Sequence, residues 1–278
     1  MAMKTRLVLL AVLLAGVAGI VAADDFPGIS AGGYTSPDHY EGMTLVWRDE
    51  FDGDMLDFNS WEHETGTGSD GWGNEELQYY RPENTRVRDG YLVITAREEA
   101  FGGSNYTSSR IVSRGKVTAR FGRVDIRAKL PEGQGIWPAL WMLGATTERI
   151  GWPVAGEIDI MEMVGGQGRE STVHGTLHWS NKREHRYEGG SVTLPSGDFS
   201  DQFHVFSIAW DETVINWMVD GMSYFQVNIA SPEFDAFREE FYLLINLAVG
   251  GKWPGNPDAS TSFPQHLVVD YIRVFTDL

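Results

Sequence analysis

Cysteine is absent from the sequence. This absence excludes disulfide bonds, thiolate metal sites and a thiol nucleophile. Helical periodicity is also nearly absent, and only residues 232–240 have a pattern that suits one or two helical turns. A chain without disulfides has to rely on its hydrophobic core, and 278 residues are enough to bury the core of one large domain.

Basic residues are scarce, because 22 Lys and Arg stand against 39 Asp and Glu, for a formal net charge of −17. Such a charge repels nucleic acid, anionic membranes and sulfated or uronic polymers, and it fits a neutral polysaccharide better. The charge therefore weighs against a nucleic acid or a membrane as the partner of the mature chain, and we expect a monomer.

Residues 1–23 have the pattern of a secretory signal peptide. Lys4 and Arg6 precede a continuous apolar run, and the small residues before the expected cleavage point after Ala23 precede two aspartates. The alternative is an uncleaved membrane anchor, although the apolar run is short for a bilayer span. Cleavage would change the formal charge from −17 to −19, since the segment contains two basic residues and no acid. We expect a secreted protein, extracellular or periplasmic.

The remainder of the chain consists of short strand-like segments separated by turns. Asp89-Gly90 and Asp220-Gly221 each lie between two β-prone segments, which is a signal for a two-residue hairpin. Many strands with Gly-rich turns predict an all-β, antiparallel two-sheet β-sandwich. We expect residues 24–42 to be a flexible leader and residues 43–278 to form a single domain.

The segment GEIDIME at residues 156–162 contains three carboxylates that alternate with apolar residues. In a strand, Glu157 and Asp159 point to one face and the isoleucines point to the other. Glu162 has the opposite parity, unless an extra residue at 160–161 forms a β-bulge and returns it to the first face. The sequence therefore predicts a bulge at this position.

The chemistry gives a reason for such a bulge. At roughly 3.3 Å per residue, the α-carbons of Glu157 and Glu162 would lie about 13 Å apart once one residue is lost to the bulge. Their side chains, leaning over the shorter Asp159, can approach to about 5 Å, the separation that retaining glycoside hydrolysis requires. Packing the carboxylates together should raise at least one pKa. The alternative is a solvated strand face with ordinary acidic residues.

Three tryptophans, Trp137, Trp141 and Trp152, lie close to this segment in the sequence. Sugars bind by stacking their C–H faces on flat aromatic rings. The core is the commoner place for any single tryptophan. As a group beside a carboxylate pair, the three indoles favour a polysaccharide cleft.

The chain resembles glycoside hydrolase family 16, and within it the bacterial laminarinase-like endo-β-1,3-glucanases. The resemblance runs from about Leu45 to Phe275. It rests on segments in a shared order: WRDEFDG (47–53), GWGNEELQYY (71–80), the stretch from Leu130-Pro131 to Trp141, GEIDIME (156–162), GTLH (175–178), NLAVGGKWPG (246–255) and VDY (269–271).

The resemblance implies a β-jelly roll whose concave face is the substrate cleft, and an endo-acting, retaining hydrolase of β-1,3-glucan without a catalytic cofactor. It implies Glu157 as the nucleophile, Glu162 as the general acid and base, and Asp159 as the carboxylate that positions the nucleophile. The E-x-D-x-x-E spacing is similar to that of the bulged laminarinase type, rather than the lichenase type. The residues that it places along the cleft are Trp137, Trp141, Trp152, His178 close to the acid, Asn74, Arg110 and Trp253.

The resemblance also implies a structural calcium on the convex side, bound by backbone carbonyls of Glu50 and Gly90 and by the carboxylate of Asp270. Oxygen-only ligation suits this hard cation. The alternative for Asp270 is an edge position that faces water. His174 and His178 share strand parity, but no third ligand with a recognisable spacing accompanies them, so we expect no zinc.

Two further functions stay open at this point. One is a non-catalytic β-glucan-binding recognition protein on the same scaffold. The carboxylates are typically lost in that class, so retention of all three here weighs against it. The other keeps the chemistry and changes the polymer to mixed-linkage glucan, agar or carrageenan.

Overall fold

The structure, a computed structural model, describes residues 28–277. The predicted signal peptide at 1–23 and residues 24–27 of the leader lie outside this part of the chain. The described strands are β1 (Met43–Asp49), β2 (Glu62–Glu64), β3 (Gln78–Tyr80), β4 (Thr85–Arg88), β5 (Tyr91–Phe101), β6 (Ser104–Ser108), β7 (Arg110–Val112), β8 (Thr118–Ala119), β9 (Gly122–Lys129), β10 (Ile136–Gly144), β11 (Glu157–Glu162), β12 (Thr172–Asn181), β13 (Glu184–Thr193), β14 (His204–Trp210), β15 (Val214–Val219), β16 (Met222–Asn228), β17 (Phe241–Val249) and β18 (Gln265–Asp277).

Helical structure in residues 28–277 is short. It comprises α1 (Thr147–Ile150), 3-10 helices at Pro82–Asn84 and Pro232–Arg238, and a π-type turn at Gly71–Glu75. The helical turns predicted at residues 232–240 are confirmed, whereas α1 was not predicted. Within the described chain, none of these helices has the length and apolar character needed to cross a bilayer.

The strands form two sheets. The larger sheet has the order β16-β15-β14-β9-β18-β5-β6-β3, with β1 paired to β18 and β4 paired to β5. The smaller sheet has the order β13-β12-β11-β10-β17-β7-β2, with β8 paired to β17. Strand pairs are antiparallel apart from β3 with β6, which are parallel. The predicted two-sheet β-sandwich is confirmed.

The core lies between the two sheets, where their apolar faces meet in one large cluster. Strand β17 is buried along its whole length, and β12 alternates between buried and partly exposed residues. The alternation in β12 means that one face of the smaller sheet contacts the core and the other faces solvent. This second face forms the floor of a cleft.

Both predicted hairpins are present. Asp89-Gly90 joins β4 to β5, and Asp220-Gly221 joins β15 to β16. All four residues have positive φ angles, of 57° and 80° in the first turn and 52° and 76° in the second. This is the conformation that a two-residue type I′ hairpin turn requires, and Asp-Gly tolerates it.

The described part of the predicted leader contacts the larger sheet. Gly33 forms a parallel bridge with Phe203, and the N–H of Ser36 donates to the Tyr271 hydroxyl at 2.8 Å. A Cβ at Gly33 would lie 2.0 Å from the Phe203 carbonyl oxygen, so this close approach requires glycine. The flexibility of the leader stays a prediction.

Trp217 connects the two sheets beneath the cleft. Its ring is fully buried, and its indole N–H donates to the backbone carbonyl of Asp159 at 2.8 Å. Trp217 lies on β15 of the larger sheet, and Asp159 lies on β11 of the smaller one. The hydrogen bond therefore fixes the position of the carboxylate-bearing strand from below.

We predict that Trp217→Phe lowers the free energy of unfolding by about 1–3 kcal/mol beyond its packing loss, because it leaves the buried Asp159 carbonyl without a donor. Urea denaturation measures this difference. Trp179→Phe is the matched control, since Trp179 is buried in the same core and its indole N–H has no hydrogen-bond partner among the described residues. Equal losses in the two variants would contradict the prediction.

Candidate active site

The carboxylate-bearing strand β11 contains the predicted bulge. Against β10, Met161 pairs with Leu140 and Asp159 pairs with Trp141, which leaves Ile160 without a partner. Both Ile160 and Met161 are buried in the core, with exposures of 2% and 0%. Two successive side chains therefore point inward. The next residue, Glu162, returns to the cleft face with Glu157 and Asp159.

Two indoles donate hydrogen bonds to the glutamates. The Trp152 N–H donates to Glu157 Oε2 at 2.9 Å, and the Trp137 N–H donates to Glu162 Oε1 at 3.1 Å. The Glu157 side chain is 16% exposed, and that of Asp159 is 4% exposed. The glutamates thus line the cleft with fixed orientations, and Asp159 lies deeper between them.

His178 lies beside Glu157 and Asp159. Its Nε2 is 3.8 Å from Glu157 Oε1 and 3.3 Å from Asp159 Oδ2. The register pairs Glu157 with His178 and Glu162 with His174, and the charge of His178 also acts on Glu162, so the expectation that His178 lies close to the acid, Glu162, stays a prediction. Antiparallel pairing runs in opposite directions along the two strands, so the later histidine meets the earlier glutamate.

Glu157, Asp159 and His178 also form a group that has the geometry to ligate a cation. One ligand atom from each of Glu157, Asp159 and His178 lies within 4.8 Å of the others. His174 does not belong to this group, and its ring contacts Trp253 instead, at a centroid distance of 5.1 Å. The absence of a two-histidine zinc site stays a prediction.

Burial raises the pKa of all three carboxyl groups. For Glu157, the nearby charge of Asp159 raises the pKa further, while His178 and the Trp152 N–H lower it. For Asp159, burial is the cause of the rise. The pKa of Glu162 reaches about 8, through burial first and then the charge of Asp159, opposed by His178 and the Trp137 N–H. The site therefore retains protons at neutral pH.

One wall of the cleft, the Arg110 wall, consists of the Arg110 guanidinium group and the indole rings of Trp72 and Trp141 that it contacts. Arg110 lies 4.5 Å from the ring centroid of Trp72 and 4.8 Å from that of Trp141. Its Nε donates to Glu64 at 2.6 Å, and Trp141 donates to Asn246 at 2.7 Å. These contacts hold the flat rings of this wall in fixed positions, a preorganisation that suits ligand binding.

The remaining predicted cleft residues are also present in the cleft, whose volume is about 680 Å³. Asn74 donates to Glu76 at 3.1 Å, and Trp253 makes an edge contact with Trp137 at 5.6 Å. Sequence reasoning did not single out several further lining residues. Trp72, Glu76, Thr176 and Asn246 lie inside the matching segments 71–80, 175–178 and 246–255, whereas no pattern marked His185 and Tyr187.

The three residues predicted for calcium lie outside the cleft, around one point of β18. Strand β5 pairs with β18 as far as Val269, and β1 pairs with it from Ile272 onward. Asp270 therefore lies where one neighbouring strand replaces the other, near the end of β1 that leads to Glu50 and the end of β5 that follows Gly90. Its Oδ2 accepts a hydrogen bond from Arg127 at 2.5 Å.

Known proteins resemble this chain over most of its length. Residues 72–273 match the family described as "Glycosyl hydrolases family 16". A β-glucanase from Rhodothermus marinus is 44% identical over 253 residues, which are 85% of each chain. The glucan endo-1,3-β-glucosidase A1 of Niallia circulans is 39% identical over 281 residues, which cover 91% of this chain and 40% of that protein. The crystal structure of the laminarinase catalytic domain from Thermotoga maritima MSB8 matches with a TM-score of 0.79 at 46% identity, covering 86% of this chain and 100% of that one.

We predict that Glu162 titrates near pH 8, and that Trp137→Phe raises this pKa further, because the lost N–H favoured the ionised form. Carbon-13 NMR of the glutamate carboxyl groups measures both values. Trp141→Phe is the control, since its indole donates to Asn246 and not to a carboxylate. An unchanged or lower pKa in Trp137→Phe would contradict the prediction.

The raised pKa of Glu162 also makes the stability of the protein depend on pH. A carboxyl group whose pKa is higher in the folded protein binds its proton more tightly there than in the unfolded chain. Its contribution to folding is fully present below its ordinary pKa of 4.5 and is lost as the pH rises to about 8.

Proposed function

This chain belongs to glycosyl hydrolase family 16, and from this premise we propose that it is an endo-acting β-1,3-glucanase that retains the anomeric configuration. The observation that carries the proposal is the bulged strand β11, which presents Glu157 and Glu162 on one face of the cleft. Two carboxyl groups that flank one glycosidic bond are what this reaction needs.

The distribution of cleft residues supports cleavage within a chain. Strand β11 lies between β12 and β13 on one side and β10, β17 and β7 on the other. Lining residues occur on both sides, with His178 and Tyr187 on the first and Trp141, Asn246 and Arg110 on the second. A glucan that crosses the strands can therefore contact the protein on both sides of the scissile bond.

In the proposed reaction, a Glu157 oxygen attacks the anomeric carbon while Glu162 donates its proton to the glycosidic oxygen, which leaves as a hydroxyl group. A covalent glycosyl-enzyme results. Glu162 then removes a proton from a water molecule, whose oxygen attacks the anomeric carbon and releases Glu157. Two inversions give overall retention, and Glu162 ends with its proton restored.

The surroundings of each carboxyl group support this division of roles. Glu157 accepts the Trp152 N–H and lies beside His178, and both favour its ionised form. For Asp159, burial alone is the cause of the raised pKa, and its Oδ2 has no hydrogen-bond partner within the described chain. Glu162 keeps its own proton because burial and nearby negative charge disfavour its ionisation.

The preference for β-1,3-linked glucan rests on similarity and charge. The Niallia circulans relative is named an endo-1,3-β-glucosidase, and the Thermotoga maritima structure is a laminarinase. The net charge of −17 suits a neutral polymer better than a sulfated one. Export through the signal peptide at residues 1–23 and action as a monomer complete the proposal.

We also propose a structural calcium at Asp270. The exchange of neighbouring strands at this residue brings the backbone near Glu50 and Gly90 toward it, which supports carbonyl ligation. Arg127 engages Oδ2, so Oδ1 is the carboxylate ligand in this proposal. Oxygen atoms alone suit calcium, and the ion would join the ends of three strands.

Calcium removal tests this site. With EGTA we expect Tm to fall by about 5–10 °C relative to a calcium concentration of about 100 times Kd, and excess calcium should restore it. Asp270→Ala should abolish the difference between the two conditions, while its loss of the Arg127 pair lowers both values equally. Identical Tm values with EGTA and with calcium in the unaltered protein would reject the calcium site.

The catalytic assignment predicts that Glu162→Gln lowers kcat on laminarin by about 10²–10⁴-fold, because the general acid is lost, and that Glu157→Gln lowers it at least as much. Reducing-sugar assays measure both, with the exposed Glu239→Gln as the control. Azide rescue with an activated aryl β-glycoside distinguishes the nucleophile from the general acid and base. Glu157→Ala should form the α-glycosyl azide, whereas Glu162→Ala should form the β-glycosyl azide. Ordinary hydrolysis by either glutamine variant would refute the assignment.

The choice of polymer is tested by incubation with laminarin, curdlan, lichenan and agarose, followed by sizing of the products. We expect a ladder of oligomers from laminarin and none from agarose. Products from lichenan or agarose alone would assign the same chemistry to another polymer. Binding of laminarin without any products would indicate the recognition protein instead.

A further inference from the structure

The outermost strand of the smaller sheet, β13, presents two aromatic side chains to the cleft. Glu157 pairs with His178 of β12, and His178 pairs with Tyr187 of β13. Directly paired residues point to the same face of a sheet. Tyr187 therefore lies in the same cross-strand row as Glu157, and His185, two positions away on the same strand, shares its face.

Four rings contact one another at this side of the cleft. His185 lies 4.7 Å from Trp152 and stacks on His178 at 5.2 Å with an interplanar angle of 22°. His178 Nδ1 and His185 Nε2 are 2.9 Å apart and share a hydrogen bond. Tyr187 lies 6.2 Å from His185 and 6.1 Å from His178. These contacts hold the rings in place before any ligand binds.

The largest of these rings remain open to solvent. Tyr187 is 71% exposed and Trp152 is 50% exposed. Both line the cleft, so neither ring serves the core. Exposed aromatic faces that are held in position inside a cleft by neighbouring rings are a ready surface for the C–H faces of a sugar ring.

The cleft face of this part of β13 also lacks formal charge. The charged residues of the strand, Glu184, Arg186 and Glu188, alternate with His185 and Tyr187 and so point to the opposite face. Burial and the neighbouring His178 lower the pKa of His185, which favours its neutral form. A neutral hexosyl residue suits this surface, whereas a sulfated or uronic residue gains no ion pair from it.

We propose that Tyr187 and His185, together with Trp152, form a binding subsite for a neutral β-glucosyl residue, on the opposite side of β11 from the Arg110 wall. The inference rests on the proposed function and extends it, because it places a contact for the distal part of the glucan on the outermost strand. The Tyr187 ring supplies the stacking face, and the His185 imidazole offers a hydrogen bond to a sugar hydroxyl.

Calorimetric titration of an eight-unit β-1,3-gluco-oligosaccharide tests the subsite, in a Glu157→Gln background that removes turnover. We expect Tyr187→Ala and His185→Ala each to weaken binding by about three- to ten-fold, as loss of an aromatic contact does. Tyr187→Phe should bind nearly as well as tyrosine, because the ring remains. Tyr34→Ala, at an exposed tyrosine outside the cleft, is the matched control.

The positions of cleavage give a second measurement in the otherwise unaltered enzyme. Tyr187→Ala should change which bond of a reducing-end-labelled octasaccharide is cleaved most often, since one distal contact is lost. Unchanged affinity and an unchanged cleavage pattern in Tyr187→Ala would overturn the subsite while leaving the hydrolase intact. Loss of affinity in Tyr187→Ala, in a protein that hydrolyses no glucan, would support the subsite and overturn the proposed function.

Discussion

One extra residue in strand β11 is the constraint on which the active site depends. Because Ile160 has no partner on β10, Ile160 and Met161 both point into the core, and Glu162 returns to the face that carries Glu157. Without this bulge, Glu162 would point into an apolar interior, where an ionised carboxylate is costly. The packing of Ile160 and Met161 in the core thus orients Glu162, the general acid of the proposed reaction, toward the cleft.

The cluster of carboxyl groups opposes folding as the pH rises, and the surrounding structure offsets this cost. Trp217 holds the Asp159 backbone from the larger sheet, and the indoles of Trp137 and Trp152 donate to the glutamates. Burial of the carboxyl groups destabilises the fold, but it also supports the proposed reaction, because burial is the main reason that Glu162 keeps its proton near neutral pH. Such conflict between stability and activity is common at functional sites.

A large part of the fold could be predicted from short patterns. The Asp-Gly pairs mark two hairpins, and the parity mismatch between Glu157 and Glu162 marks the bulge. The pairing of His178 with Glu157 across the two strands could not be predicted in this way. It depends on how β12 is aligned with β11, because a shift of two residues in that alignment would keep the same faces and could place Thr176 opposite Glu157.

The sequence by itself determined which residues alternate, where the chain turns and where an extra residue is needed, because these properties depend on residues only a few positions apart. Only the tertiary structure decided that Arg110 contacts the rings of both Trp72 and Trp141, and that Tyr187 lies in the same cross-strand row as Glu157. Those contacts join segments far apart in the chain. They follow from the order and register of whole strands, which packing of the two sheets against each other selects.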